Sequence, residues 1–337
     1  MMGRTDRHCR YFLRGFSARM LLYSEMIAAA DLVHADGDPL LEFDPEEHPL
    51  ALQLGGCDPQ ELAAAARLGE QAGYDEINLN CGCPSDRATG GVFGAWLMQR
   101  PDTVAACVAA MRASVRIPVT VKMRIGVIEG RGEAAIQAGL RFDDSDRVAL
   151  HRFVALVRDA GCDAVIVHAR KAVLGGLSAQ DNRVIPPLRY AVVREVKKAF
   201  PGLQVVVNGG LRGPGEVVEA LQDLDGIMLG REAYHRPVVL AQLDALVFGS
   251  QPTPGNPHAT AQERDDLVRA RMIERMQRYA ERQLARGERL LNVVRHMQGL
   301  YAGEPGADEF RRTLSEGARR PGAGAELLAQ AVASSGC

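Results

Sequence analysis

Seven short apolar runs, separated by helical stretches, set the tightest limit on how this 337-residue chain can fold. They are residues 21–26 (LLYSEM), 49–54 (PLALQL), 76–80 (EINLN), 119–124 (VTVKMR), 164–168 (AVIVH), 204–208 (QVVVN) and 226–230 (GIMLG). Each is near-continuously apolar, as a strand buried on both faces of a parallel sheet is. Helical patterns such as 59–71 and 190–200 lie between them. Strand and helix alternating at this spacing give parallel β/α units. An open doubly wound sheet is the rival arrangement, but it usually carries a G-x-G-x-x-G turn after its first strand. No such turn follows a strand here. The pattern therefore predicts a (β/α)8 TIM barrel, in the α/β class, with strand 1 truncated so that Met1 and Met2 are its last residues.

A barrel needs about 250 residues, which leaves room for a second part. Residues 1–250 are expected to form the barrel, 251–258 a Pro/Gly-rich linker, 259–318 a helical domain and 319–337 a fraying tail. The stretch 127–144, rich in glycine and charge, reads as an extended loop. No apolar run is long enough to span a membrane, and no secretory pattern opens the chain. The seven cysteines are an odd number and several fall inside apparent strands or helices. That fits reduced thiols in a cytoplasmic protein rather than a disulfide framework. No second ligand pair stands at zinc spacing from Cys81 and Cys83, so no metal is expected. A net charge of −2 argues against a chain that coats nucleic acid but leaves a local basic face open.

The strand ends carry the chemistry, because catalytic groups of a barrel sit there. Reading them in order gives Glu25, Gln53, Asn80 with Cys83 just beyond, Lys122 and Arg124, His168 and Arg170, Asn208-Gly209-Gly210, and Gly230-Arg231. A lone Gln or Asn at a strand end is usually a turn residue, and a lone His a satisfied core residue. Every strand ending in polar residues is better explained by one shared site. Lys122 in particular would be costly to bury without a partner. The glycines after the last two strands let backbone approach a ligand at the usual phosphate site of this fold, and Arg231 can offer that phosphate a forked cation. A phosphorylated cofactor is expected.

The stretches TDRHCRYFLR (5–14), YSEM (23–26), LALQLGG (50–56), YDEINLNCGCPSDR (74–87), PVTVKMRIG (118–126), HARKA (168–172), GLS (176–178), NGG (208–210) and GREAY (230–234) together resemble the tRNA-dihydrouridine synthases, in particular the bacterial A-type subfamily. The resemblance runs in register from residue 1 to about 306. It implies FMN held by Met1, Met2, Gln53, Lys122, His168, Asn208, Gly209, Gly210, Gly230 and Arg231, and NADPH as hydride donor. It implies that Cys83 is the proton donor, that Asn80 holds the target uridine, and that Gln180, Arg183 and Arg295 contact tRNA at its D-loop. No obligate protein partner is implied. The sequence departs from the family at Gly3, where an acid is usual, and at Trp96, where a smaller residue is common. It also begins at the methionine that ends the family's first strand.

The residue chemistry agrees with that implication. The C5=C6 bond of uracil is conjugated with a carbonyl, so hydride addition at C6 leaves an enolate that needs a proton at C5. An ordinary thiol, with a pKa of about 8.5, is protonated at neutral pH and can supply it. Residues 86–94, with three glycines, could serve as a lid. The target base must leave its stack, so binding energy must come from elsewhere on the tRNA. Arg271, Arg275, Arg278, Arg282, Arg286 and Arg289 fall on one helical stripe and could provide it. Two alternatives stay open: an FMN barrel dehydrogenase acting on a free pyrimidine, and a non-catalytic tRNA-binding paralogue.

Overall fold

The computed structural model describes residues 1–34, 38–84, 93–249 and 259–336. It contains two compact units. The sheet unit comprises Tyr23–Glu42 and Leu50–Leu229; the helical unit comprises Met1–Leu22, Phe43–Pro49 and Gly230–Cys337. In this division the helical unit takes in the first 22 residues and the chain from Gly230 onward.

The seven apolar runs form one sheet in the order β1 to β7: β1 (Leu22–Ala28), β2 (Leu50–Gly55), β3 (Glu76–Cys81), β4 (Val119–Glu129), β5 (Ala164–Leu174), β6 (Gln204–Asn208) and β7 (Gly226–Met228). Strands β2 through β7 pair parallel to their neighbours. This is a curled α/β sheet of the TIM-barrel type, with helices in the crossovers. β2 is buried along its whole length, as its unbroken apolar run requires.

Local signals set the register. The helix Pro59–Ala72 starts with Asp58 accepting from the N–H groups of Gln60 and Glu61, has Pro59 in its first turn, and ends on Gly73 in the left-handed conformation. An aspartate also precedes every second strand. Asp75, Asp163 and Asp225 each accept, through a carboxylate oxygen, the first or second N–H of the preceding strand, at Leu50 (2.6 Å), Val119 (2.8 Å) and Val205 (2.8 Å). Three such clamps pin β2–β3, β4–β5 and β6–β7 at their starting ends. A one-residue slip would exchange the inner and outer faces.

The stretch 127–144 is not the extended loop that its glycines suggest. β4 continues to Glu129 beside β5, with a register shift between Arg124 and Gly126, and a helix spans Gly132–Leu140. Gly130 and Gly132, both at positive φ, mark the turn between them. Trp96 and Val127 pack against Ala95, Ala172 and Leu174 on this extension, with the Arg100 guanidinium 4.7 Å from the Trp96 ring centre.

In the helical unit the longest helix, Ala261–Ala285, opens with a Thr260–Glu263 capping box and buries Met272, Ile273, Met276, Tyr279 and Ala280. The end of the chain forms a helix, Leu327–Ser335, that buries Leu327, Leu328 and Ala331 rather than fraying. Of the expected linker and lid, residues 250–258 and 85–92 lie outside the described residues; Gly249 and Gly94, at their edges, both have positive φ.

Candidate active site

Alternation along parallel strands places residues 53 of β2, 78 and 80 of β3, 120, 122 and 124 of β4, 166 and 168 of β5 and 206 and 208 of β6 on one face. Register joins them into rings: Gln53 opposite Asn78 opposite Thr120; Asn80 opposite Lys122 opposite Ile166; Arg124 opposite His168 opposite Asn208. The last two rings are the strand ends that the sequence singles out.

Gln53 and Asn80 meet directly, the Asn80 amide nitrogen donating to Gln53 Oε1 at 2.8 Å. Asn80 Oδ1 in turn accepts the backbone N–H groups of Gly82 and Cys83, both at 2.9 Å. The Cys83 carbonyl accepts from Ala95 N at 2.8 Å. Cys83 is thus held by its backbone on both sides at the end of β3, and its side chain is half-buried. Burial pushes the Cys107 and Cys162 thiols up to about 12, and Cys81 well above its ordinary value. Those three are packing residues.

Two cations stand behind this loop. Lys122 Nζ donates to Asn208 Oδ1 at 3.2 Å, and Asn208 is turned by its own donation to the Met228 carbonyl at 2.8 Å. Burial, with a smaller repulsion from Arg124, pushes the Lys122 ammonium down to about 8. No carboxylate among the described residues pairs with it. Arg124, 2 % exposed, is held by three carbonyls at 2.9 Å: Gly82, Lys171 and Asn182. Burial, again first, lowers it to about 10.

The glycines after β6 are required where they stand. Gly209 (φ +114°) lies so close to His168 that an added Cβ would sit 2.5 Å from the ring, and Gly210 (φ +75°) abuts Leu188. Tyr190 donates its hydroxyl to the Gly209 carbonyl at 2.5 Å. Gln53, Asn80, Cys83, Asn208, Gly209 and Gly210 therefore lie at or just past the C-terminal ends of β2, β3 and β6, and Lys122 and His168 stand in register with Asn80 and Asn208 inside the longer β4 and β5. Gln180 and Arg183 are exposed in the segment after β5, flanking buried Asn182, which ties that segment to Val173 through paired bonds of 2.7 and 2.9 Å.

The remaining candidates belong to the helical unit. A Cβ on Gly230 would lie 3.7 Å from Met1 Sδ, so those two are neighbours; Met2 is 53 % exposed. Arg231 begins the short helix Arg231–His235. Arg295 pairs with Asp6 and donates to His296 Nε2 at 3.0 Å. His296, fully buried, also faces Asp6 at 3.0 Å and Tyr234 Oη at 3.2 Å. The arginine stripe is not uniform. Arg275 pairs with Glu46 at 2.7 Å and lies 4.1 Å from the Tyr11 ring centre, and Arg282 reaches Asp44 at 3.3 Å. Arg271 and Arg278 are exposed.

A model of the dihydrouridine synthase (Dus) family matches residues 1–335. The chain belongs to that family. A relative in Vibrio cholerae serotype O1 is 48 % identical over 335 residues, covering 99 % of this chain and 94 % of the relative. One in Xanthomonas axonopodis pv. citri is 49 % identical over 98 % of this chain and 91 % of its own length, and one in Synechocystis is 48 % identical over 98 % and 92 %. All three bear the name tRNA-dihydrouridine(20/20a) synthase.

Sequence reading misses three polar residues of this Dus-family sheet. Glu76 and Asn78 lie inside a strand taken as apolar, and Thr120 inside PVTV. Their signal is the alternation E-I-N-L-N, which puts Glu76, Asn78 and Asn80 on one face. Asn182 and His296, both buried and fully bonded, are missed because their partners are distant in sequence or lie in irregular backbone.

Proposed function

We propose that this chain is an FMN-dependent oxidoreductase that reduces uridines in the D-loop of tRNA to 5,6-dihydrouridine, with NADPH as electron source. The observation that carries the cofactor is Lys122. A half-buried ammonium whose hydrogen bond among the described residues goes to a neutral amide oxygen, with no carboxylate paired to it, favours an anionic ligand. The glycines after β6, where a side chain would strike His168 and Leu188, bring the backbone close to that imidazole. A flavin mononucleotide, with its phosphate and a ring that gains negative charge on reduction, fits this donor set. Gln53, Lys122, His168, Asn208, Gly209 and Gly210 of the sheet unit would hold it.

When bound and reduced by NADPH, FMN would supply the hydride that adds to uracil C6. Asn80, whose oxygen is committed to the loop, has its amide nitrogen to offer a uracil carbonyl and hold the base in place. The Cys83 thiol gives its proton to C5 of the uracil enolate, and solvent reprotonates the sulfur. Gln180, Arg183 and Arg295 contact the tRNA outside the reacting base. The test is a visible spectrum of the protein with added FMN, followed by mass mapping of tRNA after incubation with NADPH. A flavin spectrum with new masses two units above uridine in the D-loop is expected. A protein that binds no flavin, or that reduces free uracil as fast as tRNA, would overturn the reading.

A further inference from the structure

We propose that Glu76, Thr120 and Asn78 are positioning residues that fix which way the Asn80 amide faces, and through it the Cys83 loop. The inference rests on the reading of Cys83 as the proton donor, and it starts from the direction of a run of hydrogen bonds inside the sheet unit. The Gly82 and Cys83 N–H groups can only donate, so the atom of Asn80 that they meet must be oxygen. Its nitrogen then donates to Gln53 Oε1 at 2.8 Å. Gln53 Nε2 donates to Asn78 Oδ1 at 2.9 Å, and Asn78 Nδ2 to Thr120 Oγ1 at 2.8 Å. The Thr120 hydroxyl donates to Glu76 Oε1 at 2.6 Å, and the Tyr23 hydroxyl to the same oxygen at 2.7 Å.

A carboxylate only accepts and a backbone N–H only donates. With those groups at opposite ends, each amide and hydroxyl between them has one allowed orientation. Gln53, Asn78, Asn80 and Thr120 are all buried, so water is poorly placed to redirect them. Turning one amide would set N–H against N–H or oxygen against oxygen in a medium where an unmet polar group is costly. Burial raises the Glu76 carboxyl from its ordinary value, with a smaller push from Asp163, while the Thr120 and Tyr23 hydroxyls favour its charged form. The run therefore carries the acceptor character of Glu76 to the loop. It also dictates that Asn80, whose oxygen already accepts two N–H groups, shows any ligand its remaining N–H rather than an oxygen.

The experiment uses the full chain and three variants: Thr120→Val, which keeps shape and removes the hydroxyl; Thr120→Ser, which restores it; and Glu76→Gln, which can present either an oxygen or a nitrogen. The first readout is amide hydrogen exchange at Gly82 and Cys83, and it needs no activity. Thr120→Val is expected to speed it about tenfold, Glu76→Gln about threefold, with Thr120→Ser close to the parent and β5 and β6 unchanged. The second readout is single-turnover reduction of tRNA by flavin-loaded protein, expected to slow about tenfold in Thr120→Val at unchanged tRNA affinity. Exchange at the loop that does not respond, or that rises equally in every strand, overturns the proposal. Exchange that responds as expected while the parent reduces no tRNA leaves the relay standing and overturns the functional reading instead.

Discussion

The two units treat buried positive charge in opposite ways. In the helical unit, cations with little exposure mostly meet carboxylates: Arg10 with Glu47 at 2.6 Å, Arg7 with Glu288 at 2.8 Å, Arg269 with Glu304 at 2.6 Å, Arg275 with Glu46 at 2.7 Å. Arg14 is the exception, bonded to the Ser17, Glu47 and Pro49 carbonyls. In β4 of the sheet unit, the hydrogen bonds of the Lys122 ammonium and the Arg124 guanidinium go, among the described residues, to an amide and backbone carbonyls. Lys171, further along β5, is paired with Asp146 at 2.7 Å. Positive charge that is neutralised holds structure together; positive charge left over marks where an anion binds.

The largest effects test the neutralised side. Glu47→Ala takes the carboxylate from the Arg10 guanidinium and removes a capping box from the turn Pro45–Glu47. It should cost about 3–5 kcal/mol of unfolding free energy, read from urea denaturation. A loss below about 1 kcal/mol would place Arg10–Glu47 with the dispensable pairs and break the contrast. On the other side, Cys83→Ala should leave stability nearly unchanged and lower dihydrouridine formation about 100-fold, while NADPH still reduces the bound flavin. Full product formation by that variant would remove the acid role.

Lys122 tests the unneutralised side by pH. Its folded value of about 8 lies below its ordinary value, so the folded chain binds fewer protons than the unfolded one between there and about 10.5. Its penalty is therefore present in full below pH 8 and fades as pH rises through that window. Lys122→Met should be more stable than the parent at pH 7, with the difference shrinking by pH 10. Flavin affinity should run the other way. The anion prefers the charged lysine, so parent affinity falls by up to tenfold per unit above pH 8, and Lys122→Met binds weakly at every pH. Equal flavin affinity in the two proteins would contradict the assignment of residual charge to ligand binding.

The strand ends are legible in the sequence because position alone identifies them. An apolar run that stops at Gln53, Lys122, His168 or Asn208 announces the strand, although β4 and β5 run on to Glu129 and Leu174. The interior amides are not, since Asn78 looks like a flaw in an apolar strand until Gln53 and Thr120 are known to flank it. The aspartate clamps were legible in principle: YDE, CDA and LDG each put an acid just before a strand. Extension of β4 past Arg124 was hidden, since pairing with Ala172 and Val173 outweighs what Gly126 and Gly130 suggest locally. The arginine stripe shows the opposite failure. Its period is real, but periodicity cannot say which members find an acid 230 residues away.

That last point yields the smallest and most discriminating prediction. Arg275 and Arg282 share Glu46 and the Tyr11 ring, and Arg282 also reaches Asp44, whereas Arg271 and Arg278 have no ion pair among the described residues. If leftover charge is what meets phosphate, Arg271→Ala and Arg278→Ala should each weaken tRNA binding and reduce the slope of log affinity against log salt by about one. Arg282→Ala removes a partly exposed pair, so it should cost under about 1 kcal/mol of stability and change the salt slope less. Binding titrations at several salt concentrations separate the two classes. Equal slopes for all three variants would mean that the stripe meets tRNA as a whole and that the acids beneath it do not compete. A change only in Arg282→Ala would reverse the rule drawn from the two units.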